Sequence, residues 1–359
     1  MKKSAKTPKN QKHPHKPHKP KKPSLLFIVK NRVDSYGVSI GLINSAGFVV
    51  NALNARGYDA DLVRVNDAND IDRAVTKADP DIVFVEALFV TPDKFSEILS
   101  IPRHRKRKWV VRLHSKGPFL AHESMAFDWL NEYKKIADNL FLSCNNEDFN
   151  DDLNAVGYES AFLPNIYSPK DYHHHDADLS DRHNKHNYID VGCFGAIRSL
   201  KNQVEQAIAA IIFAKKVGKK LRFHINSSRV ESKSEPELKN LRALFQDQEH
   251  ATLVEWNWLS HKEFVKVIRK MDISMQVSFT ESFNIVTADA VGQNVPVVVS
   301  NDVDWVPSAF RASPTDTNDI VSKLVLAYKL PHLNILMCNK ALDKYNSLAL
   351  ASWERYLKE

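Results

Sequence analysis

The chain has 359 residues, of which 43% are hydrophobic and 26% charged, with a formal net charge of +7. This composition is typical of one or two globular domains with substantial cores. No run of about 18 apolar residues and no apolar leader are present, so the sequence predicts neither a membrane span nor a signal peptide. We therefore expect a cytoplasmic protein. Its three cysteines lack CxxC spacing and predict no disulfide framework.

The positive charge is concentrated in residues 1–23, which hold nine lysines, three histidines, five prolines and no acid. Such a segment cannot bury a core, and it is predicted to be a disordered basic tail. Counterion release would let it bind a polyanion, either nucleic acid or an anionic membrane surface. The alternative is a solubilising extension without a partner.

From Ser24 onward, short apolar runs alternate with helical segments, as in βα units on a parallel sheet. The first series is predicted to form a domain over residues 24–167. One helix is expected to begin near Asn44 and Ser45, which can cap free N–H groups, and to stop at Gly57. The strands predicted in this series lie near residues 25–29, 60–65, 81–87, 109–113, 140–144 and 160–163.

Residues 168–188 are polar and irregular and are predicted to be an interdomain linker. The alternation resumes over residues 189–330, which predicts a second domain, and residues 331–359 follow as a helix that could pack back on the first domain. Strands are predicted near residues 190–194, 221–225, 252–256, 273–277 and 296–300. Two Rossmann-like α/β domains with parallel sheets predict a ligand cleft between them, where the carboxyl ends of the strands meet.

Residues 278–300 form the sharpest local feature, a strand, a short loop and a helix that starts near Asn284. Free N–H groups at a helix start bind anions such as phosphate. Glu281 precedes this helix and Asp289 lies on its second turn, and carboxylates accept hydrogen bonds from sugar hydroxyls. The pattern fits a nucleoside-diphosphate sugar. The alternative is that both carboxylates belong to an ordinary solvated surface.

A second loop, residues 194–202, follows another predicted strand of the same domain and contains Gly195, Arg198 and Lys201. Glycine allows the backbone to approach a ligand closely, whereas arginine and lysine neutralise phosphate oxygens. This loop supplies the cations that the first one lacks.

Together these motifs resemble the group 1, family 4-like glycosyltransferases over most of residues 188–330. The resemblance also extends to the loop around Gly37 and Gly41, the pair His114 and Ser115, and the LPN triplet at 163–165. It implies the GT-B fold, a nucleoside-diphosphate sugar donor and retention of anomeric configuration. We expect the nucleotide to be UDP.

The resemblance also implies roles for individual residues. Glu281 would hold hydroxyls of the transferred sugar, and Asp289 the ribose diol. Arg198 and Lys201 would stabilise the diphosphate as negative charge builds on the leaving group. His114 would approach the donor sugar from the opposite domain. The remaining donor contacts implied by position are Gly41, Gly195, Phe283, Asn284 and Ile285.

Two residues depart from the family pattern. Asp289 stands where the family usually has glutamate, so its ribose contact is expected to be looser or mediated by water. Asn284 replaces a usual glycine, and asparagine is the residue after glycine that best tolerates left-handed backbone. Trp256, with Trp258 beside it, is a further candidate contact for the nucleotide base, although aromatics at strand ends commonly pack in the core.

The resemblance also implies that no metal is needed, because cationic side chains would neutralise the diphosphate in its place. The histidine run 173–175 lies in the predicted linker without a spaced second ligand set. No cofactor other than the sugar nucleotide is predicted.

Five basic residues directly precede a strand of the first domain, which receives the acceptor in GT-B enzymes. They are Arg103, Arg105, Lys106, Arg107 and Lys108. With the tail they favour a polyanionic acceptor. By analogy with virus-encoded enzymes of the same fold, the predicted acceptor is a hydroxylated pyrimidine in DNA, which would place the enzyme in a host cytoplasm. The alternatives are a glycan or lipid precursor at the inner membrane, and a non-catalytic protein that binds nucleic acid or a sugar nucleotide.

Overall fold

The computed structural model of the protein describes residues 22–31, 40–168, 187–231 and 233–358. Nearly all of the predicted basic tail, the loop around Gly37 and most of the predicted linker therefore lie outside the described residues. The histidine run of the linker lies outside them as well.

Within the described residues, the strands form two six-stranded sheets in which all neighbouring strands are parallel. The first sheet has the order β2-β1-β3-β4-β5-β6. Its strands are β1 (Ser24–Lys30), β2 (Asp59–Val65), β3 (Ile82–Glu86), β4 (Lys108–Leu113), β5 (Leu140–Cys144) and β6 (Ser160–Phe162). Its inner strands β1, β3 and β4 read as nearly continuous apolar runs because helices cover both faces.

The second sheet has the order β12-β11-β10-β7-β8-β9, so β7 and β10 are neighbours although three helices separate them in sequence. This is the order of a dinucleotide-binding fold, with its topological switch point between β7 and β10. The strands are β7 (Tyr188–Gly192), β8 (Lys220–Asn226), β9 (Ala251–Trp256), β10 (Ile273–Gln276), β11 (Val297–Ser300) and β12 (Arg311–Ala312).

Helices connect the strands on both faces of each sheet. Those of the first series are α1 (Ile40–Ala55), α2 (Asp70–Ala78), α3 (Pro92–Ser100), α4 (Gly117–Leu120), α5 (Ala126–Ile136) and α6 (Glu147–Ala155). Those of the second are α7 (Gln203–Lys216), α8 (Glu235–Gln246), α9 (His261–Ile268), α10 (Ile285–Gly292), α11 (Thr317–Lys329) and α12 (Pro331–Tyr356).

The long helix α12 returns from the second sheet to the first. Near its start Cys338 belongs to the core around β11, whereas Trp353 near its end packs on Phe27 and Phe84. The Trp353 indole N–H also donates to the Pro164 carbonyl at 2.8 Å. No single described helix is long and apolar enough to cross a bilayer; α11 and α12 meet that test only as a pair bent by 100°.

The predicted fold class is confirmed, and the predicted strands match the observed ones to within about two residues. Two local details differ. Asn44 and Ser45 were expected to cap α1, but the helix begins at Ile40, one turn closer to the other domain. The two-residue strand β12 was not predicted, because a run of that length has no hydrophobic period.

Candidate active site

The two switch points of the sheets supply the walls of one cleft. In the second sheet, Arg198 and Lys201 follow β7, and Glu281 follows β10. In the first sheet, Gly41 follows β1, and Glu86 is the last residue of β3. Loops that follow neighbouring parallel strands open at the same edge, which is where α/β folds bind ligands. The larger cavity of this cleft has a volume of about 280 Å³.

Lys201 and Glu281 form a salt bridge on the floor of this cleft, and each side chain is about 10% exposed. The backbone links their loops as well, since the Phe279 N–H donates to the Leu200 carbonyl at 2.9 Å. Burial by itself would raise the pKa of the Glu281 carboxyl, but the charges of Lys201 and Arg198 outweigh it and lower that pKa. Glu281 is therefore ionised and can accept hydrogen bonds from sugar hydroxyls.

Arg198 lies beside this pair and keeps hydrogen-bonding capacity for a ligand. Its Nη1 is 3.7 Å from a carboxylate oxygen of Glu231, and its guanidinium stands over the Phe119 ring of the opposite domain, 5.2 Å from the centroid. Arginine that stacks on an aromatic ring in this way is held in place without using its hydrogen-bond donors. The arrangement suits a diphosphate.

Helix α10 begins in the cleft at Asn284, whose backbone is left-handed at φ 58°. The side chain caps the helix by accepting a hydrogen bond from the Thr287 N–H at 2.9 Å, while its amide nitrogen donates to Gln276 at 3.0 Å. The sequence argument that asparagine could replace glycine here agrees with this geometry. Ile285 and Gly41 both line the cleft, so the starts of α10 and α1 face each other across it.

Asp289 lies on the second turn of α10, is buried, and lines a second, smaller cavity of the cleft. Its Oδ1 accepts hydrogen bonds from the Tyr167 hydroxyl at 2.9 Å and from Nε2 of His261 at 2.8 Å. Burial lowers the pKa of His261, but the bond to Asp289 outweighs it, and the net effect is a raised pKa. Sequence reasoning missed Tyr167 and His261, because neither belongs to a motif and the fold alone brings them to Asp289.

A smaller cavity of about 80 Å³ adjoins Asp289 and has a mainly apolar lining that includes Trp258, Phe264 and Val286. The backbone at its wall is Gly195, whose φ of 119° disfavours any side chain. Trp256 does not line this cavity. It stacks on His224 and donates its indole N–H to that ring at 3.1 Å, so of the two tryptophans Trp258 is the one that lines this cavity.

His114 stands on the opposite wall, at the end of β4. Its Nε2 is hydrogen-bonded to Oε2 of Glu86, and its Nδ1 accepts from the Asn145 amide at 3.3 Å, so the network assigns the neutral tautomer with the proton on Nε2. Burial and then the charge of Arg112 lower the pKa of His114 against the opposing effect of Glu86. A neutral imidazole therefore faces the cleft.

Arg112 holds this wall together and is fully buried. Its guanidinium donates to Glu86 at 2.9 Å, to the Leu163 carbonyl at 2.9 Å and to Asn165 at 2.6 Å. Two residues of the LPN triplet, Leu163 and Asn165, thus help Glu86 to hold the Arg112 guanidinium in place. Glu86 carried no signal in the sequence, since it is one acid at the end of an apolar strand.

Ser282 joins the two walls. Its hydroxyl donates to the His114 carbonyl and accepts from Asn145, both at 3.1 Å. Lys116 and Asp302 add an ion pair at 3.6 Å nearby. The ring of Phe283, predicted as a donor contact, is instead buried against Trp305 and Tyr345, because the left-handed turn at the next residue directs it into the core.

The basic run before β4 lies at the amino end of the first sheet, whereas the cleft lies at the carboxyl end. A strand of six residues places about 20 Å between the two edges. Several of these charges are also paired within the domain. Arg103 binds Asp72 at 2.7 Å, Arg107 binds Asp79 at 2.6 Å, and Lys108 stands over the Tyr356 ring. Arg105 donates to a backbone carbonyl at 3.0 Å, and Lys106 is exposed. The structure does not bring this run to the cleft.

No group of three or more His, Cys, Asp or Glu side chains within the described ranges is arranged to hold a metal ion. The three cysteines are buried and free, and burial raises the pKa of each thiol to about 12.

No protein-family model and no curated protein matches the sequence. The fold, however, is similar to that of solved structures. An apo structure of OtsA is 13% identical with a TM-score of 0.66, and covers 94% of this chain and 99% of its own. Sucrose-phosphate synthase from Thermosynechococcus elongatus is 13% identical with a TM-score of 0.65, over 93% and 98%. Anabaena HepE, in complex with UDP and glucose, is 12% identical with a TM-score of 0.60, over 91% and 94%. This likeness shows that the chain has the GT-B fold.

Proposed function

We propose that the protein is a glycosyltransferase that moves a sugar from a UDP-sugar to an acceptor hydroxyl in the cleft. The observation that carries the proposal is the buried Lys201–Glu281 pair with Arg198 beside the start of α10. Cations at a helix start favour a diphosphate, and an adjacent ionised carboxylate favours the hydroxyls of a sugar. The solved structures of similar fold include a complex with UDP and glucose and one with UDP-2-fluoroglucose.

In this proposal the base lies against Trp258 and the ribose beside Asp289. Because Oδ1 of Asp289 already accepts two hydrogen bonds, its Oδ2 is the atom available to the ribose. The diphosphate lies at the start of α10 between Arg198 and Lys201. As the glycosidic bond breaks, these cations stabilise the charge that grows on the departing phosphate. A solved neighbour is described as transferring with retention, and we propose the same outcome here.

The acceptor proposed from the sequence was a modified base in DNA. The argument for it rested on the basic run and the tail, and the run lies at the far edge of the sheet with much of its charge paired. The described cleft lends more support to a small hydroxylated acceptor, because its walls are already bridged by Ser282. DNA and lipid are therefore kept among the acceptors to be tested.

The test is a panel of sugar nucleotides, led by UDP-glucose, against small sugars, sugar phosphates, plain DNA, hydroxymethylated DNA and lipid extract. Nucleotide release and product mass are the readouts. Transfer from a UDP-sugar that Glu281→Gln abolishes is the expected result. Binding of UDP without turnover of any donor would favour the non-catalytic alternative, and transfer only to hydroxymethylated DNA would restore the DNA acceptor.

A further inference from the structure

The carboxylate of Glu86 is completely buried, yet only one of its oxygens is hydrogen-bonded by the part of the chain that the structure describes. Oε2 accepts hydrogen bonds from both Arg112 and His114. Oε1 has no hydrogen-bond partner among the described residues. Leaving a buried acceptor unsatisfied is costly, so native proteins rarely do it away from a site where a ligand or water completes the bonding.

Glu86 is also ionised and firmly placed. Burial would raise the pKa of its carboxyl, but the charge of Arg112 and the contact with His114 outweigh it and lower that pKa. Arg112 is in turn fixed by Leu163 and Asn165, and its guanidinium lies 5.3 Å from the centroid of the Trp353 ring. Since a carboxylate only accepts hydrogen bonds, its partner must be a donor such as a hydroxyl group.

The position of Glu86 indicates which molecule supplies this hydroxyl group. It is the last residue of β3 and lines the larger cavity together with His114 and Glu281. The charged groups proposed to hold the donor, Arg198, Lys201, Glu281 and Asp289, all follow strands of the second sheet, whereas Glu86 belongs to the first. We infer that Oε1 of Glu86 receives a hydrogen bond from a hydroxyl group of the acceptor and so positions the acceptor in the cleft.

This inference rests on the proposed sugar transfer and names the chemistry of its acceptor: a polyol or sugar that presents a hydroxyl to a fixed carboxylate. The lowered pKa makes Glu86 a poor base, so its part is binding and not proton removal. In the proposed transfer, the acceptor proton passes to an oxygen of the departing phosphate.

The test compares Glu86→Gln with Asp190→Asn. Asp190 is a matched control, because it too is a buried carboxylate held by an arginine and a histidine, Arg222 and His224, but both of its oxygens are bonded and it does not line either cavity. Calorimetry measures UDP binding to each variant. Binding of D-glucose, D-fructose and glycerol to the UDP complex is then followed by saturation-transfer NMR, and transfer from UDP-glucose to the same probes is assayed.

We expect Glu86→Gln to weaken binding of the best of the three probes by about tenfold to a hundredfold, the loss of one hydrogen bond to a charged group, with UDP affinity unchanged. Asp190→Asn should change neither. Weaker UDP binding in Glu86→Gln would assign Glu86 to the donor and overturn the inference. Unchanged probe binding, or no probe binding by the wild type, would overturn it too and leave Oε1 to an ordered water. Absence of sugar transfer with probe binding intact would count against the proposed function alone.

Discussion

Each sheet contains a carboxylate on one strand facing an arginine and a histidine two residues apart on the next. In the first sheet the set is Glu86 with Arg112 and His114; in the second it is Asp190 with Arg222 and His224. The sequences RLH and RFH look alike, but Glu86 ends its strand at the cleft, whereas Asp190 lies near the middle of β7. Among the described residues, one carboxylate has an unpaired oxygen and the other does not, so we infer that position at the sheet edge determines which cluster can bind a ligand.

The largest expected effect is on stability and separates the two arginines. Arg112→Leu removes the main partner of a fully buried carboxylate and should lower the free energy of unfolding by about 3–5 kcal/mol. Arg222→Leu should cost about 1 kcal/mol or less, because Arg222 is 39% exposed and Asp190 keeps His224. Urea denaturation at neutral pH measures both. Equal losses would contradict the comparison.

The next largest effect is on the rate of sugar transfer and compares a lysine in the cleft with a lysine at the amino edge of the first sheet. Lys201→Met should reduce sugar transfer by about 100- to 1000-fold, since it removes a charge that stabilises the leaving diphosphate. Lys106→Met, at the amino edge of the first sheet, is the control and should leave the rate unchanged. Steady-state kinetics with UDP-glucose provide the measurement. A similar loss in both variants would mean that the cleft does not hold the reaction.

A pair of tryptophans tests the nucleotide end of the cleft. Trp258→Ala should weaken UDP binding by roughly 2- to 10-fold, the value of one aromatic contact. Trp256→Ala should lower stability through lost packing on His224 while UDP affinity stays the same. Calorimetric titration with UDP and urea denaturation distinguish the two. The reverse result would restore Trp256 as the base contact.

The histidine of the cleft cluster should be visible in the pH dependence of stability. Its pKa is lowered by folding, so its contribution is complete above the unfolded value of about 6.5 and is lost as the pH falls through the folded pKa. His114→Gln keeps a donor for Glu86 but cannot be protonated. Between about pH 7 and pH 5 the variant should therefore lose less stability than the wild type. His261 is present in both proteins, so the difference between their unfolding curves isolates His114, and parallel curves would refute the assignment.

The smallest effect is expected at the basic run. Replacing Arg105 and Lys106 together by serine should change stability by less than about 0.5 kcal/mol and leave transfer to small acceptors unaltered. If the run does bind a polyanion, the salt dependence of DNA binding should become shallower by about one unit per lost phosphate contact. A loss of transfer in this variant would bring the amino edge of the sheet into the acceptor site.

Much of this protein could be predicted from its sequence because the relevant signals are local. Apolar runs and their spacing fix the strands, and the loops with Arg198, Lys201 and Glu281 follow strands, which places them at a carboxyl edge. The left-handed backbone at Asn284 is one that asparagine tolerates well. The fold class rests on these features.

Other features of the site are visible only in the tertiary structure, because they depend on contacts between residues that are distant in sequence. The neighbour order of β7 and β10 brings Lys201 to Glu281, and the return of the chain brings Tyr167 to Asp289. The same packing turns the basic run away from the cleft and leaves one oxygen of Glu86 without a partner among the described residues. Charge and spacing along a chain cannot reveal this, because a side chain's bonding is set by the strands and helices that the whole fold places around it.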